Sequence, residues 1–114
     1  MAAHGQVEGG ILMGVGQALT EGTRYDEEGR QQNAGLLEYK LQTIADAPTV
    51  TTQFVEIYTE NAGPRGAKGL AEAPNVATCG AISNAITAAT GARVKQLPMT
   101  GERVWTALDE QGQS

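Results

Sequence analysis

The chain is organised around one loop, Gly63-Pro64-Arg65-Gly66-Ala67-Lys68-Gly69-Leu70-Ala71-Glu72-Ala73-Pro74. Three glycines in its first seven residues let backbone N–H groups approach a ligand closely, because no Cβ stands in the way. Arg65 and Lys68 add positive charge where an anion would sit, and Glu72 is the one carboxylate, placed just before an expected helix. A loop this rich in special backbone residues is more typical of a functional segment than of a polar connector.

Composition and charge exclude several classes of function. The 114 residues fit one small domain or a piece of a larger one, and 15 glycines with a single Phe and a single Trp make its core thin. A net charge of −5 argues against a surface for nucleic acid or for an anionic membrane. The single Cys79 excludes an internal disulfide and a multi-cysteine zinc or iron–sulfur site, and the single His4 excludes a histidine-rich metal cage. We therefore expect no metal held by side chains of this chain.

Targeting signals are also missing from the sequence. No apolar run approaches the roughly 18 to 20 residues of a membrane span, and the N-terminus lacks the pattern of a signal peptide. We therefore expect no membrane partner and a cytoplasmic location.

A helix is predicted from residue 5 to about residue 22. Val7, Ile11, Val15 and Ala18/Leu19 follow the 3.6-residue period, although Gly9, Gly10, Gly14 and Gly16 interrupt the segment. Each glycine costs roughly 1 kcal/mol relative to alanine inside a helix, so something must pack closely against it. That neighbour is either another helix or sheet, or a cofactor that approaches the Gly5–Gly10 end, where free N–H groups favour an anion.

Two strands and two further helices complete the predicted fold. Leu37, Tyr39 and Leu41 alternate with polar residues and so predict a half-buried strand over residues 36–42 with these three on its apolar face. β-Branched and aromatic residues predict a second strand over Val50–Glu60. A helix should begin at Pro74 and stop at Gly91, with Val76, Cys79/Gly80, Ile82/Ser83 and Ile86 on its apolar face. A last helix should be capped by Thr100 and bury Val104, Trp105 and Leu108, before a frayed tail over residues 109–114.

These elements predict an α+β fold, a small mixed sheet packed with about three helices. Because two strands do not make a stable sheet alone, either more strands lie around residues 23–34 and 92–97, or a partner completes the sheet. The second alternative indicates a fragment of a larger protein.

The residues restrict the chemistry of the loop. The phosphate-binding motif G-x-x-x-x-G-K-[ST] is not met, since Gly69 follows Lys68 where a hydroxyl is required. Cys79 on an alanine-rich helix is typical of a structural thiol, and His4 lies on an expected loose end. Glu72 has two interpretations: a partly desolvated general base, or an ordinary acid that offsets the helix dipole.

Several motifs in order resemble the xanthine dehydrogenase/aldehyde oxidase family of molybdenum hydroxylases. They are Gly5-Gln6-Val7-Glu8-Gly9-Gly10, Met13-Gly14-Val15-Gly16-Gln17-Ala18-Leu19, Glu38-Tyr39-Lys40-Leu41, Gly66-Ala67-Lys68-Gly69-Leu70-Ala71-Glu72-Ala73-Pro74, Ala81-Ile82-Ser83-Asn84-Ala85-Ile86 with Ala89-Thr90-Gly91, and Leu97-Pro98-Met99-Thr100. The resemblance is to the C-terminal part of the molybdopterin-binding large subunit and covers nearly all of residues 5–105. It implies that residues 1–114 form a single domain, the C-terminal portion of a molybdopterin-binding domain.

The resemblance implies roles for individual residues. Glu72 resembles the general base beside the molybdenum, in the oxidation of an aldehyde or N-heterocycle with oxygen derived from water. Gln6 resembles the glutamine that hydrogen-bonds the pterin, and Lys68, Gly69, Leu70 and Ala71 resemble the loop that lines this cofactor. The implied cofactor is molybdenum-molybdopterin, as the simple pterin or the cytosine dinucleotide form. Iron–sulfur clusters and FAD are expected on other parts of the enzyme, so the implied partners are the rest of the molybdenum-binding subunit, iron–sulfur and flavin subunits or domains, and a small-molecule substrate.

One departure from the family pattern is Ala71, where many members carry glycine before the glutamate. Because other cofactor-binding segments are not in this sequence, we expect the isolated chain to be inactive and free of molybdenum. The glycine stripe of the first helix and unpaired strand edges predict self-association. Two rival hypotheses are a non-catalytic α+β module used for subunit packing and an anion-binding module.

Overall fold

Three α-helices make up most of the regular structure in a computed structural model that describes residues 1–63 and 65–112. Helix α1 spans Ala2–Leu19, α2 spans Ala73–Thr90, α3 spans Gly101–Gly112, and a single turn of 3₁₀ helix spans Ile44–Asp46. Pro64 of the loop, and Gln113 and Ser114 of the tail predicted to fray, lie outside the described residues. The earlier part of that tail continues α3.

The predicted α+β class is wrong, because the described residues contain neither a strand nor a sheet. Between residues 23 and 34 the β-type pairing is limited to an isolated bridge of Tyr25 with Gln31, and residues 92–97 form no strand. Where a strand was expected over residues 36–42 the chain turns, with the N–H of Tyr39 donating to the carbonyl of Gly35 at 2.9 Å. Leu37, expected to face inward, is 83% exposed. Alternation of polarity describes a strand only where a neighbouring strand accepts its backbone hydrogen bonds.

The predicted strand over Val50–Glu60 is wrong for the same reason. Residues 50–59 adopt no regular secondary structure, and Val55 is 78% exposed. The β-branched residues of this segment fit a pleated, half-buried surface rather than imposing a strand on the backbone. No such surface is offered by residues 1–63 and 65–112.

Helices α1 and α2 pack side by side through glycines of α1. A Cβ at Gly10 would lie 3.0 Å from Cβ of Pro74, and a Cβ at Gly14 would lie 2.5 Å from Cβ of Thr78. Gly10, Gly14 and Ala18 are buried at intervals of four residues, so they form one face of α1. Close helix contact therefore explains Gly10 and Gly14, as one of the two interpretations predicted.

The predicted helix boundaries near residues 74, 91 and 100 are confirmed. Pro74 lies in the first turn of α2, and Gly91 ends that helix in a left-handed conformation with φ of 80°. The hydroxyl oxygen of Thr100 accepts a hydrogen bond from the N–H of Arg103 at 3.3 Å, as an N-cap does at the start of α3.

The predicted apolar faces of α2 and α3 are partly wrong. Val76 is 80% exposed and Trp105 is 66% exposed, because few elements of the described chain cover these helices. The buried hydrophobic residues of the described chain lie outside these two helices: Ala18 belongs to α1, and Ala92 and Met99 lie between α2 and α3. The radius of gyration is 18.0 Å, whereas a compact domain of about 100 residues has about 13 Å.

Candidate functional site

A cavity of about 330 Å³ lies between the N-terminal half of α1 and the start of α2. Its walls are Gly5, Gln6, Gly9, Gly10, Met13, Ala71, Glu72 and Asn75. This volume lies at the lower end of the range for small-molecule pockets, and the lining combines apolar surface with a few polar groups, as such pockets do.

Two of the glycines that line this cavity, Gly5 and Gly9, have open space where a side chain would lie. A Cβ at Gly5 or at Gly9 would meet no heavy atom within 4 Å, in contrast to the crowded positions Gly10 and Gly14. The backbone of α1 is therefore directly accessible from the cavity at Gly5 and Gly9. The open space beside Gly5 and Gly9 is compatible with the second interpretation, the approach of a cofactor, which stays a prediction.

Gln6 connects α1 to the exit of the loop. Its side-chain Nε2 donates to the backbone carbonyl of Ala71 at 2.9 Å, across 65 residues of sequence. This bond places the end of the loop beside the first turns of α1. The Oε1 atom and the second N–H of the Gln6 amide are not used by this bond and can serve a ligand.

Glu72 occupies the N-cap position of α2, with φ of −110° and ψ of −14°. Its carbonyl accepts the N–H of Asn75 at 3.0 Å, but its side chain makes no capping hydrogen bond. The side chain is exposed and lines the cavity. An acid that served only the helix terminus would be expected to accept hydrogen bonds from the free N–H groups in the first turn of α2. The carboxylate of Glu72 accepts none of these, so it is available for another task.

The cavity brings together some, but not all, of the residues that the sequence singled out. Gln6, Ala71 and Glu72 line it together, whereas Lys68, Gly69 and Leu70 do not. The ammonium group of Lys68 instead lies 3.4 Å from the carbonyl oxygen of Ile57, to which it donates.

Met13 and Asn75 line the cavity, but the sequence analysis assigned neither of them a role in the site. Met13 follows Gln6 by seven residues and Asn75 follows Glu72 by three. These spacings place residues on the same face of a helix, so helical periodicity counted from Gln6 and Glu72 could have found them.

Other candidate groups have structural environments. The thiol of the half-buried Cys79 donates to the carbonyl of Gly14 at 3.7 Å, as expected for a structural cysteine. His4, predicted on a loose end, belongs to α1 and its ring packs edge-to-face on Phe54 with centroids 4.9 Å apart. No cluster of three or more His, Cys, Asp or Glu side chains suited to a metal occurs in residues 1–63 and 65–112. Within the same ranges, no helix has the length and apolar character needed to cross a membrane.

The resolved pKa shifts lie away from the cavity. The backbone N–H of Arg30 donates to Asp26 and lowers the pKa of that carboxyl, and the backbone N–H of Thr43 does the same to the pKa of Asp46. A hydrogen bond to Glu21 raises the pKa of Tyr39. These groups stabilise connecting segments.

Comparison with known proteins identifies relatives over nearly the whole chain. Residues 1–48 match the family described as a molybdopterin cofactor-binding domain. The xanthine dehydrogenase molybdenum-binding subunit of Escherichia coli O157:H7 is 41% identical over 106 residues, which is 92% of this chain and 14% of the relative. The aldehyde oxidoreductase of Megalodesulfovibrio gigas is 35% identical over 108 residues, which is 95% of this chain and 12% of the relative.

Solved structures agree with these sequence matches. The reconstituted CO dehydrogenase from Oligotropha carboxidovorans superposes with a TM-score of 0.86 at 30% identity, over 99% of this chain and 14% of that one. This chain therefore spans 12 to 14% of the length of these three relatives.

Proposed function

Because the chain belongs to the xanthine dehydrogenase/aldehyde oxidase family of molybdenum hydroxylases, we propose that it forms one wall of the molybdopterin site in such an enzyme. The enzyme would oxidise an aldehyde or an N-heterocycle, with oxygen derived from water. In this proposal Glu72 is the general base and Gln6 contacts the pterin, together with the loop residues Lys68–Ala71. The observation that carries it is the position of Glu72, whose uncommitted carboxylate lines the same cavity as Gln6.

The residues present fit one wall of a pterin site. The open positions beside Gly5 and Gly9 let a flat group lie directly on the backbone of α1. Gln6 retains an acceptor and a donor, and Asn75 on α2 places a second amide side chain in the lining of the cavity. A pterin presents ring nitrogens, an amino group and a carbonyl, which such amide side chains can recognise.

The mechanism assigns separate tasks to the side chains. When bound, the molybdenum supplies the redox chemistry, by accepting the two electrons that leave the substrate. Gln6 orients the pterin edge through its free amide atoms, while its bond to Ala71 keeps the loop exit beside the cavity. The carboxylate of Glu72 accepts the proton of the water-derived nucleophile, a role that typically contributes about 10²- to 10⁴-fold to a rate.

The proposed partners follow from what this chain does not contain. With a single cysteine it cannot bind an iron–sulfur cluster by itself, so clusters and FAD would lie on other subunits or domains and carry the electrons away. The exposed apolar side chains and the radius of gyration of 18.0 Å support a partner that covers them, which we propose is the rest of the molybdenum-binding subunit. The isolated chain would then be inactive.

Replacing Glu72 in the intact, cofactor-loaded enzyme tests this function. Glu72→Gln keeps the shape of the side chain but removes the base. We expect substrate-dependent reduction of the enzyme to slow by about 10²-fold or more while molybdenum content is unchanged. Stopped-flow absorbance measures the rate, and elemental analysis measures the metal.

Glu102→Gln is the matched control, since Glu102 also lies in the first turn of a helix but is not among the residues that line this cavity. We expect this variant to reduce at the unmodified rate. If Glu72→Gln retains both molybdenum and the normal rate, Glu72 is a helix-start acid and the proposed mechanism is wrong.

A further inference from the structure

We propose that Asn75 is a cofactor-binding residue whose side-chain amide donates a hydrogen bond to the bound pterin. This inference rests on the proposed function, and it adds a binding group on α2 to the one on α1. It begins from two observations: Asn75 lines the cavity, and its side-chain Oδ1 is buried with no hydrogen-bond partner among the described residues.

The position of Asn75 is set by the same helical turn that positions Glu72. Its backbone N–H donates to the carbonyl of Glu72 at 3.0 Å, within the first turn of α2. The two residues therefore share one helical turn, and Oδ1 of Asn75 lies against Gly14 of the helix that carries Gln6. Any group that contacts both Gln6 and Glu72 comes close to Asn75.

The oxygen edge of the Asn75 carboxamide is not accessible to a ligand. The Oδ1 atom is buried, and a Cβ built on Gly14 would lie 2.8 Å from it, so this oxygen is pressed against α1. Since the residue lines the cavity, its NH₂ group is the edge that remains for a ligand.

Packing alone does not account for an asparagine here. A buried amide oxygen without a partner costs free energy, and asparagine is a poorer helix former than alanine. A small apolar residue would fill the same place at the α1–α2 contact without either penalty. Residues that oppose the stability of the fold in this way are typical of functional sites.

The ligand that suits this group carries acceptors. An amide NH₂ near a helix N-terminus favours a carbonyl, ring-nitrogen or phosphate oxygen acceptor. Gln6 on α1 and Asn75 on α2 would then hold two edges of one planar group, with Glu72 beside it.

The test uses Asn75→Ala in the intact, cofactor-loaded enzyme, with two measurements. In the cofactor-free protein we expect the free energy of unfolding to be unchanged or raised. In the loaded protein we expect the pterin and molybdenum to dissociate about 10-fold faster, which corresponds to 1.4 kcal/mol. Pterin fluorescence and elemental analysis after repeated gel filtration measure this loss. Asn75→Asp keeps an oxygen at the buried edge but lacks the amide donor, so it should lose the cofactor as well.

Thr78→Val is the matched control. Thr78 packs against the same Gly14 and donates to the carbonyl of Pro74 at 2.9 Å, but it does not line this cavity. We expect it to lower the stability of the cofactor-free protein and to leave cofactor dissociation unchanged. If Asn75→Ala or Asn75→Asp keeps the cofactor as the unmodified enzyme does, the role of Asn75 is refuted while the proposed function stands. An unmodified enzyme without pterin would refute the proposed function itself.

Discussion

Gly14→Ala is expected to separate α1 from α2 and to destabilise the chain. The added Cβ would lie 2.5 Å from Cβ and 2.8 Å from Cγ2 of Thr78. Two carbon atoms pack at about 3.5 to 4.0 Å, so the helices would have to move apart by roughly 1 Å or more. A change of rotamer cannot relieve the shorter contact, because Cβ of Thr78 is fixed by the backbone of α2.

The expected loss is about 2 kcal/mol in the free energy of unfolding. Overpacking a tight contact costs about 1 to 3 kcal/mol, and the upper end applies where the atom that is struck cannot rotate away. Against this, alanine is better than glycine inside a helix by about 1 kcal/mol. The steric cost therefore exceeds the gain in helix propensity at this position.

Gly80→Ala is the control, since Gly80 lies inside α2 but has no heavy atom within 4 Å of its added Cβ. Only the propensity term applies there, and we expect a gain of up to about 1 kcal/mol. Urea unfolding followed by circular dichroism at 222 nm, on the same chain with each substitution, measures both values.

A Gly14→Ala variant as stable as Gly80→Ala would refute this reasoning. It would mean that α1 and α2 do not approach as closely as the contact of Gly14 with Thr78 requires. The cavity between their N-terminal halves, which depends on the same packing, would then have to be reconsidered.

Two other predictions concern the connecting segments. The backbone N–H of Arg30 lowers the pKa of Asp26 in the folded chain. The Asp26 carboxylate therefore stabilises the turn at pH values above its ordinary pKa of 3.8, and this stabilisation is lost as the pH falls through the lower folded-state pKa. The amide chemical shift of Arg30 should follow this titration, and Asp26→Asn should abolish it. We also expect the isolated chain to self-associate through exposed side chains such as Leu36, Ile44 and Val55, giving a mass above 11.9 kDa that rises with concentration in light scattering. A constant mass of 11.9 kDa would contradict this expectation.

Local chemistry was sufficient to predict the three helices, both ends of α2 and the start of α3. The first helix, predicted from residue 5 to about residue 22, instead spans Ala2–Leu19, and α3 continues to Gly112 into the tail that was predicted to fray. Pro74, Gly91 and Thr100 act through their own backbone and side-chain preferences, and the structure has each at the boundary where it was expected. The same is true of Glu72, whose place between a glycine-rich loop and a helix start is a property of neighbouring residues.

Tertiary structure alone decided where the extended segments and the glycines of α1 belong. The alternation around Leu37 and the β-branched run around Val55 are compatible with a strand, but a strand also needs a paired edge, which the described chain does not supply. Gly9 and Gly14 look equivalent in the sequence, yet one lines a cavity and the other contacts α2. Their difference comes from the position and direction of the second helix, which begins more than 50 residues later and which no local pattern in α1 encodes.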